Sequence, residues 1–115
     1  MAVISLEGLE FFAFHGAYPE EQKNGNKFQV DVSLEVDCSL PAQTDNLQDS
    51  TDYVRIFQIV EKEMAIRSNL LEHLARRMVE KIRADFPKIV ACTVKVSKID
   101  PPIGGKCAKV SVTWP

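Results

Sequence analysis

Histidine is scarce in this chain of 115 residues, which has only His15 and His73, and its three cysteines, Cys38, Cys92 and Cys107, show no C-x-x-C spacing. A three-histidine zinc site cannot be built from that set, so no metal is expected. The odd cysteine count, with two of the three inside expected strands, reads as reduced, buried thiols in a cytoplasmic setting. Also missing is any apolar run near the ~18 residues of a membrane span, and no basic, apolar leader opens the chain. A soluble, unprocessed protein with no membrane contact is expected. Positive charge is not in excess either: with a net charge of -2 the chain cannot line a groove for a phosphate backbone, which excludes nucleic acid as a partner. No G-x-G-x-x-G, Walker-type loop or G-x-S-x-G occurs, so dinucleotide sites, P-loops and serine nucleophile elbows are excluded.

What is present suits one compact domain over residues 1–115, with 45% hydrophobic and 26% charged residues. A domain of this size buries roughly two-thirds of its unfolded surface, enough for a core without staples. Residues 2 to 14 predict a long strand bent or bulged at Gly8. Gly16 permits a turn, and Pro19 suits the first position of a short helix whose opening turn carries Glu20 and Glu21. From residue 27 to 38 the chain alternates, Phe28, Val30, Val32, Leu34 and Val36 against Gln29, Asp31, Ser33, Glu35 and Asp37, the pattern of a half-buried strand. Residues 39 to 52 turn polar and predict a surface loop ending in N-cap residues. Tyr53, Ile56, Phe57, Val60 and Met64 then repeat at helical spacing, and after a break at Arg67-Ser68 so do Leu71, Leu74, Ala75, Met78 and Ile82. Alternation returns over residues 89 to 98 and, past a Pro-Pro-Ile-Gly-Gly turn, over 109 to 114. The order strand, strand, helix, helix, strand, strand predicts an α+β fold: an antiparallel four-stranded sheet with two helices on one face. Two free sheet edges make lateral pairing between subunits a reasonable expectation.

Polar residues at loops and element ends are where sites gather, and five stand there: His15, Glu21, Tyr53, Glu72 and Lys98. Each has a bland reading. His15 before a glycine is commonly a turn hydrogen-bonder, Glu21 a solvated acid favoured by a helix dipole, Tyr53 a ring that anchors a helix, and Lys98 a solvated lysine at a strand end. Asn69 and Glu72 have the spacing of a capping box, which by itself is structural. A carboxylate beside the free N–H groups of a helix start can also hold one edge of a flat heterocycle.

Taken together, His15-Gly16-Ala17 with Glu21, Thr51-Asp52-Tyr53, Leu70-Leu71-Glu72-His73-Leu74-Ala75 and Lys98-Ile99-Asp100-Pro101-Pro102-Ile103, in this order, resemble the dihydroneopterin aldolases of folate biosynthesis. The resemblance covers essentially the whole chain. It implies the tunnelling fold, assembled into barrel-like rings as a homo-octamer with sites at subunit interfaces, a small-molecule pterin substrate and no cofactor. By the same resemblance Glu72 would bind the pterin's amino and ring N–H edge, with the backbone of Leu71 beside it and Ala17 also at the substrate. Tyr53, from a neighbouring subunit, would stack on the pterin and move protons. Glu21 would line the side-chain end, and Lys98 would be the general acid/base. Retro-aldol cleavage of 7,8-dihydroneopterin uses the pterin ring as its own electron sink, so the protein's part is proton transfer and orientation. Phe14 departs from the family, which often has tyrosine before His-Gly. Two rivals stand beside it: a 2′-epimerase of the same family, which shares the glutamate, tyrosine and lysine and from which the Lys-Ile-Asp-Pro-Pro-Ile turn separates this chain, and a ring protein that binds a pterin or purine without turnover, which keeps Glu72 and for which Lys98 is dispensable. Glu20, beside Glu21, could take its place by a shift of one residue.

Overall fold

Ile4 and Leu6 stand at even positions and Leu9, Phe11 and Ala13 at odd ones, so a regular strand would send them to opposite faces. The computed structural model, which describes all 115 residues, resolves this at Gly8. In strand β1 (Ala2–Ala13) the pairing slips between Leu6 and Leu9, and Gly8 sits at φ 70°, a left-handed conformation that a side chain resists. The Gly8 N–H, lost to the ladder, donates to the Asp31 carboxylate at 2.8 Å. One extra residue thus brings both halves of β1 onto a single apolar face.

That face continues through β2 (Asn26–Val36), β3 (Ala91–Ile99) and β4 (Lys109–Trp114), all antiparallel and in the spatial order of the sequence. In register, Val30 faces Val96, Val32 faces Val94 and Leu34 faces Cys92, and all six side chains are buried. Burial of each contributes roughly 1.5–3 kcal/mol for the larger ones. The cover comes from α3 (Tyr53–Met64), through Ile56, Val60 and Met64, and α4 (Leu71–Asp85), through Leu74, Met78 and Ile82, the helical stripes expected from the sequence. The α+β fold, four antiparallel strands with helices on one face, stands as expected, and β1 and β4 are the edges. No helix is long and apolar enough to cross a membrane.

Two local expectations are corrected. Residues 39 to 52 do not form a plain loop: they hold α2 (Ser39–Thr44) and a 3-10 turn, Leu47–Asp49. The Asp37 carboxylate starts α2 by accepting from the Ser39 N–H at 3.0 Å and its hydroxyl at 2.6 Å. The capping box of Asn69 and Glu72 does not form either. Leu70 occupies the cap position without a side-chain bond, because Asn69 instead accepts from Arg67 at 2.6 Å. Glu72 therefore lies exposed in the first turn of α4, with no capping duty.

Candidate active site

Continuing the alternation of β3, Lys98 falls in phase with Cys92, Val94 and Val96, on the buried face opposite Phe28. A lysine there must find an anion, because an unpaired buried charge is costly. It finds Glu21. Helix α1 (Pro19–Asn24) begins with proline, and its third residue points inward, so that Lys98 Nζ donates to Glu21 Oε2 with both side chains about nine-tenths buried. The other carboxylate oxygen reaches back to the Tyr18 N–H at 3.4 Å, at the start of the same helix. Gly16 makes this possible by close approach: a Cβ there would lie 2.6 Å from the Glu21 carboxylate. The pair forms the floor of a cleft of about 160 Å3, walled by Tyr18, Leu71, Pro102 and Ile103. A wider opening adjoins it between Glu20, Tyr18 and Ile103.

His15, at 1% exposure, is held by backbone groups at the end of α3 and in the connection that follows it. Its Nδ1 accepts from the Ser68 N–H at 3.0 Å, which leaves Nε2 as the donor to the Met64 carbonyl at 2.9 Å. The ring is therefore neutral, and its pKa is lowered to about 4. Burial is the main cause, opposed by the Met64 bond and aided by repulsion from Arg77, Arg67 and Lys98. Around it, Arg77 bonds Glu63 at 2.6 Å and the Ser68 hydroxyl at 2.9 Å, and that hydroxyl also meets His73 Nδ1 at 2.8 Å. His15 is a core bracket, the plainer of its two readings.

Of the residues singled out in the sequence, the structure brings together Glu21, Lys98 and Leu71. Of the acid pair, Glu21 turns inward to Lys98 and Glu20 faces solvent. Glu72 follows Leu71 at the exposed start of α4, and Ala17 is exposed in the turn before α1. Tyr53 stands apart, 62% exposed at the start of α3, where Asp52 caps the helix by accepting from the Val54 N–H at 2.9 Å. Nothing in the spacing of the sequence marks Tyr18, and Ile103 stands there only as the last residue of the motif that begins at Lys98. Gly16 read only as a turn, and the contact that requires it is with a side chain five residues on. A surface cleft of about 560 Å3 lies at the far end of β2 between α2 and the end of α4, and its charged side chains are all exposed. No three His, Cys, Asp or Glu side chains cluster as a metal site would require.

The family model described as dihydroneopterin aldolase matches residues 4–114. The dihydroneopterin aldolase of Bacillus subtilis is 38% identical over 116 residues, covering 97% of this chain and 94% of the relative. That of Streptococcus pyogenes serotype M18 is 39% identical over 116 residues, covering 97% and 95%. Among solved structures, E. coli dihydroneopterin aldolase in complex with neopterin superposes with a TM-score of 0.89 at 26% identity, covering 99% of this chain and 97% of that one. The Burkholderia thailendensis dihydroneopterin aldolase bound to guanine shares the fold, with a TM-score of 0.80 at 22% identity, covering 98% and 88%.

Proposed function

We propose, starting from the fact that this chain belongs to the dihydroneopterin aldolase family, that the Lys98–Glu21 pair and the start of α4 are the two halves of its active site. The activity is that of an aldehyde-lyase acting on dihydroneopterin. The observation that carries the assignment of residues is the pairing of Lys98 with Glu21 on the floor of the cleft beside Leu71. A lysine with one fixed acceptor keeps two N–H donors directed elsewhere, which suits a proton carrier.

In this reading the exposed Glu72 carboxylate takes the amino and ring N–H edge of the pterin in paired, charge-assisted hydrogen bonds, with the Leu71 backbone alongside and Ala17 at the rim. Lys98 first passes a proton to the Glu21 carboxylate it bonds, its free amine then takes the proton of the 2′-hydroxyl, and the bond between the first and second side-chain carbons breaks. Its electrons pass into the ring imine, glycolaldehyde leaves, and Lys98 returns the proton to the first carbon, which yields 6-hydroxymethyl-7,8-dihydropterin and restores the free amine. No metal enters any step. Positioned proton transfer of this kind contributes typically ~10²- to 10⁴-fold.

A second subunit completes the site. The cleft opens on its Tyr18 and Ile103 side into the wider gap beside Glu20 and is not closed there, and Tyr53 is exposed and outside its walls. With Tyr53 supplied by a neighbour across paired sheet edges, the missing wall and the second proton-handling group arrive together, and the assembly is an octamer of two stacked rings. The cellular setting that suits three free thiols is the cytoplasm.

The test is incubation of chelator-treated protein with 7,8-dihydroneopterin. 6-Hydroxymethyl-7,8-dihydropterin and glycolaldehyde are expected in equal amounts, and Lys98→Ala is expected to bind neopterin without turnover. Appearance of the 2′-epimer alone, or full turnover by Lys98→Ala, would overturn the assignment.

A further inference from the structure

The two proposed halves of the site come from distant parts of the chain, and a set of hydrogen bonds with no part in the chemistry joins them. On one side is the Gly16 turn, against which the Glu21 carboxylate rests. On the other is the connection from α3 to α4, which runs straight into Leu71 and Glu72. The Gly16 N–H donates to the Ser68 carbonyl at 3.1 Å, and the Ser68 N–H donates to His15 Nδ1 at 3.0 Å. Arg67 spans both sides: Nη1 donates to the Gly16 carbonyl at 3.0 Å, across 51 residues of sequence, while Nη2 donates to the Asn69 side chain at 2.6 Å.

We propose that Arg67, with His15 and Ser68, is a positioning clamp that sets the spacing between the proton-transfer pair and the helix start that holds the pterin. The inference rests on the assignment of Lys98, Glu21 and Glu72 given above. Arg67 is exposed, so core packing does not require an arginine there. A planar fork with two separate donors does what the position asks, and a lysine ammonium cannot match that geometry. Displacement of reacting groups by about 1 Å can cost on the order of a hundredfold in rate, so a clamp remote from the chemistry acts on turnover. The same displacement leaves the pterin edge in the grip of Glu72.

The experiment compares wild type, Arg67→Met, Arg67→Lys and Lys98→Ala as full-length proteins, reading kcat on 7,8-dihydroneopterin, Kd for neopterin and the urea midpoint. For Arg67→Met, kcat is expected to fall roughly tenfold to a hundredfold while the neopterin Kd stays within about threefold. Arg67→Lys, which keeps the charge and one bond, recovers part of the loss. A lowered urea midpoint with unchanged kcat would make Arg67 merely structural and overturn the proposal. Equal losses in kcat and affinity would overturn it too, by confining Arg67 to the binding half. His15 sits in the core, where substitution risks misfolding, and Arg67 is the probe for that reason. Wild-type turnover by Lys98→Ala strikes at the underlying assignment instead, whatever the Arg67 variants do.

Discussion

Two buried ion pairs occur in this molecule, Glu63–Arg77 and Glu21–Lys98, and they are put to different use. Arg77 has both terminal nitrogens committed: Nη1 to the Glu63 carboxylate at 2.6 Å, Nη2 to the Ile66 carbonyl at 2.7 Å and the Ser68 hydroxyl at 2.9 Å. It ties α3 and α4 together and has little left to offer a ligand. Lys98 has one partner and faces a cleft. Burial of charge alone does not mark a site. An ion pair with uncommitted donors beside an opening is the better candidate, because only then can a proton be passed on or a hydroxyl be bound without dismantling the fold.

The comparison is sharpest at Lys98. Lys98→Ala is expected to lower kcat by ~10²- to 10⁴-fold with neopterin affinity nearly kept, as read by product formation and fluorescence titration. Removal of the other cation should act on stability. Arg77→Met strands Glu63, at 3% exposure, without a partner, and such a break typically costs ~3–5 kcal/mol. Urea midpoints measured for both variants should show a smaller shift for Lys98→Ala, because water can reach Glu21 from the cleft. A larger shift for Lys98→Ala would erase the distinction.

His15 adds a buried group kept neutral. Its pKa is about 4 in the fold against 6.5 unperturbed, so below pH 6.5 the unfolded chain takes up a proton that the folded chain refuses. Stability due to His15 is complete above that value and is lost as pH falls toward 4, by up to about 3 kcal/mol. Urea midpoints at pH 7, 5.5 and 4 should fall more steeply for wild type than for His15→Asn, and parallel slopes would contradict this. The smallest expected effect is at Gly16. The Cβ of Gly16→Ala would lie 2.6 Å from the Glu21 carboxylate, so the carboxylate must move and kcat is expected to fall about tenfold, while an Ala substitution at Gly105, whose surroundings are open, leaves kcat unchanged.

Much of this was legible in the residues. The period-2 runs of β2 and β3 and the stripes of α3 and α4 name nearly the whole core, since burial on one face imposes those periods directly. Even the bulge at Gly8 is written in the change from even to odd apolar positions. The proposed site is the one to which the motifs shared with the dihydroneopterin aldolases point, through Glu21, Glu72 and Lys98, and Lys98 also carries a local signal as a charge in phase with a buried face. Hidden from sequence were the capping of α4, the start of α2 and the whole clamp of His15, Arg67 and Ser68.

The division has a physical cause. Local periodicity, turn chemistry and helix stops depend on neighbours within a few residues, so the sequence by itself determined the four strands and the two long helices, their order and the apolar face each presents. Which acid meets Lys98, why position 16 must lack a side chain, and which backbone groups His15 holds depend on contacts 49 to 77 residues apart for His15 and Lys98. Only tertiary packing decides those, because hydrogen bonds between distant segments form where the core brings their ends together, and no periodic pattern records them.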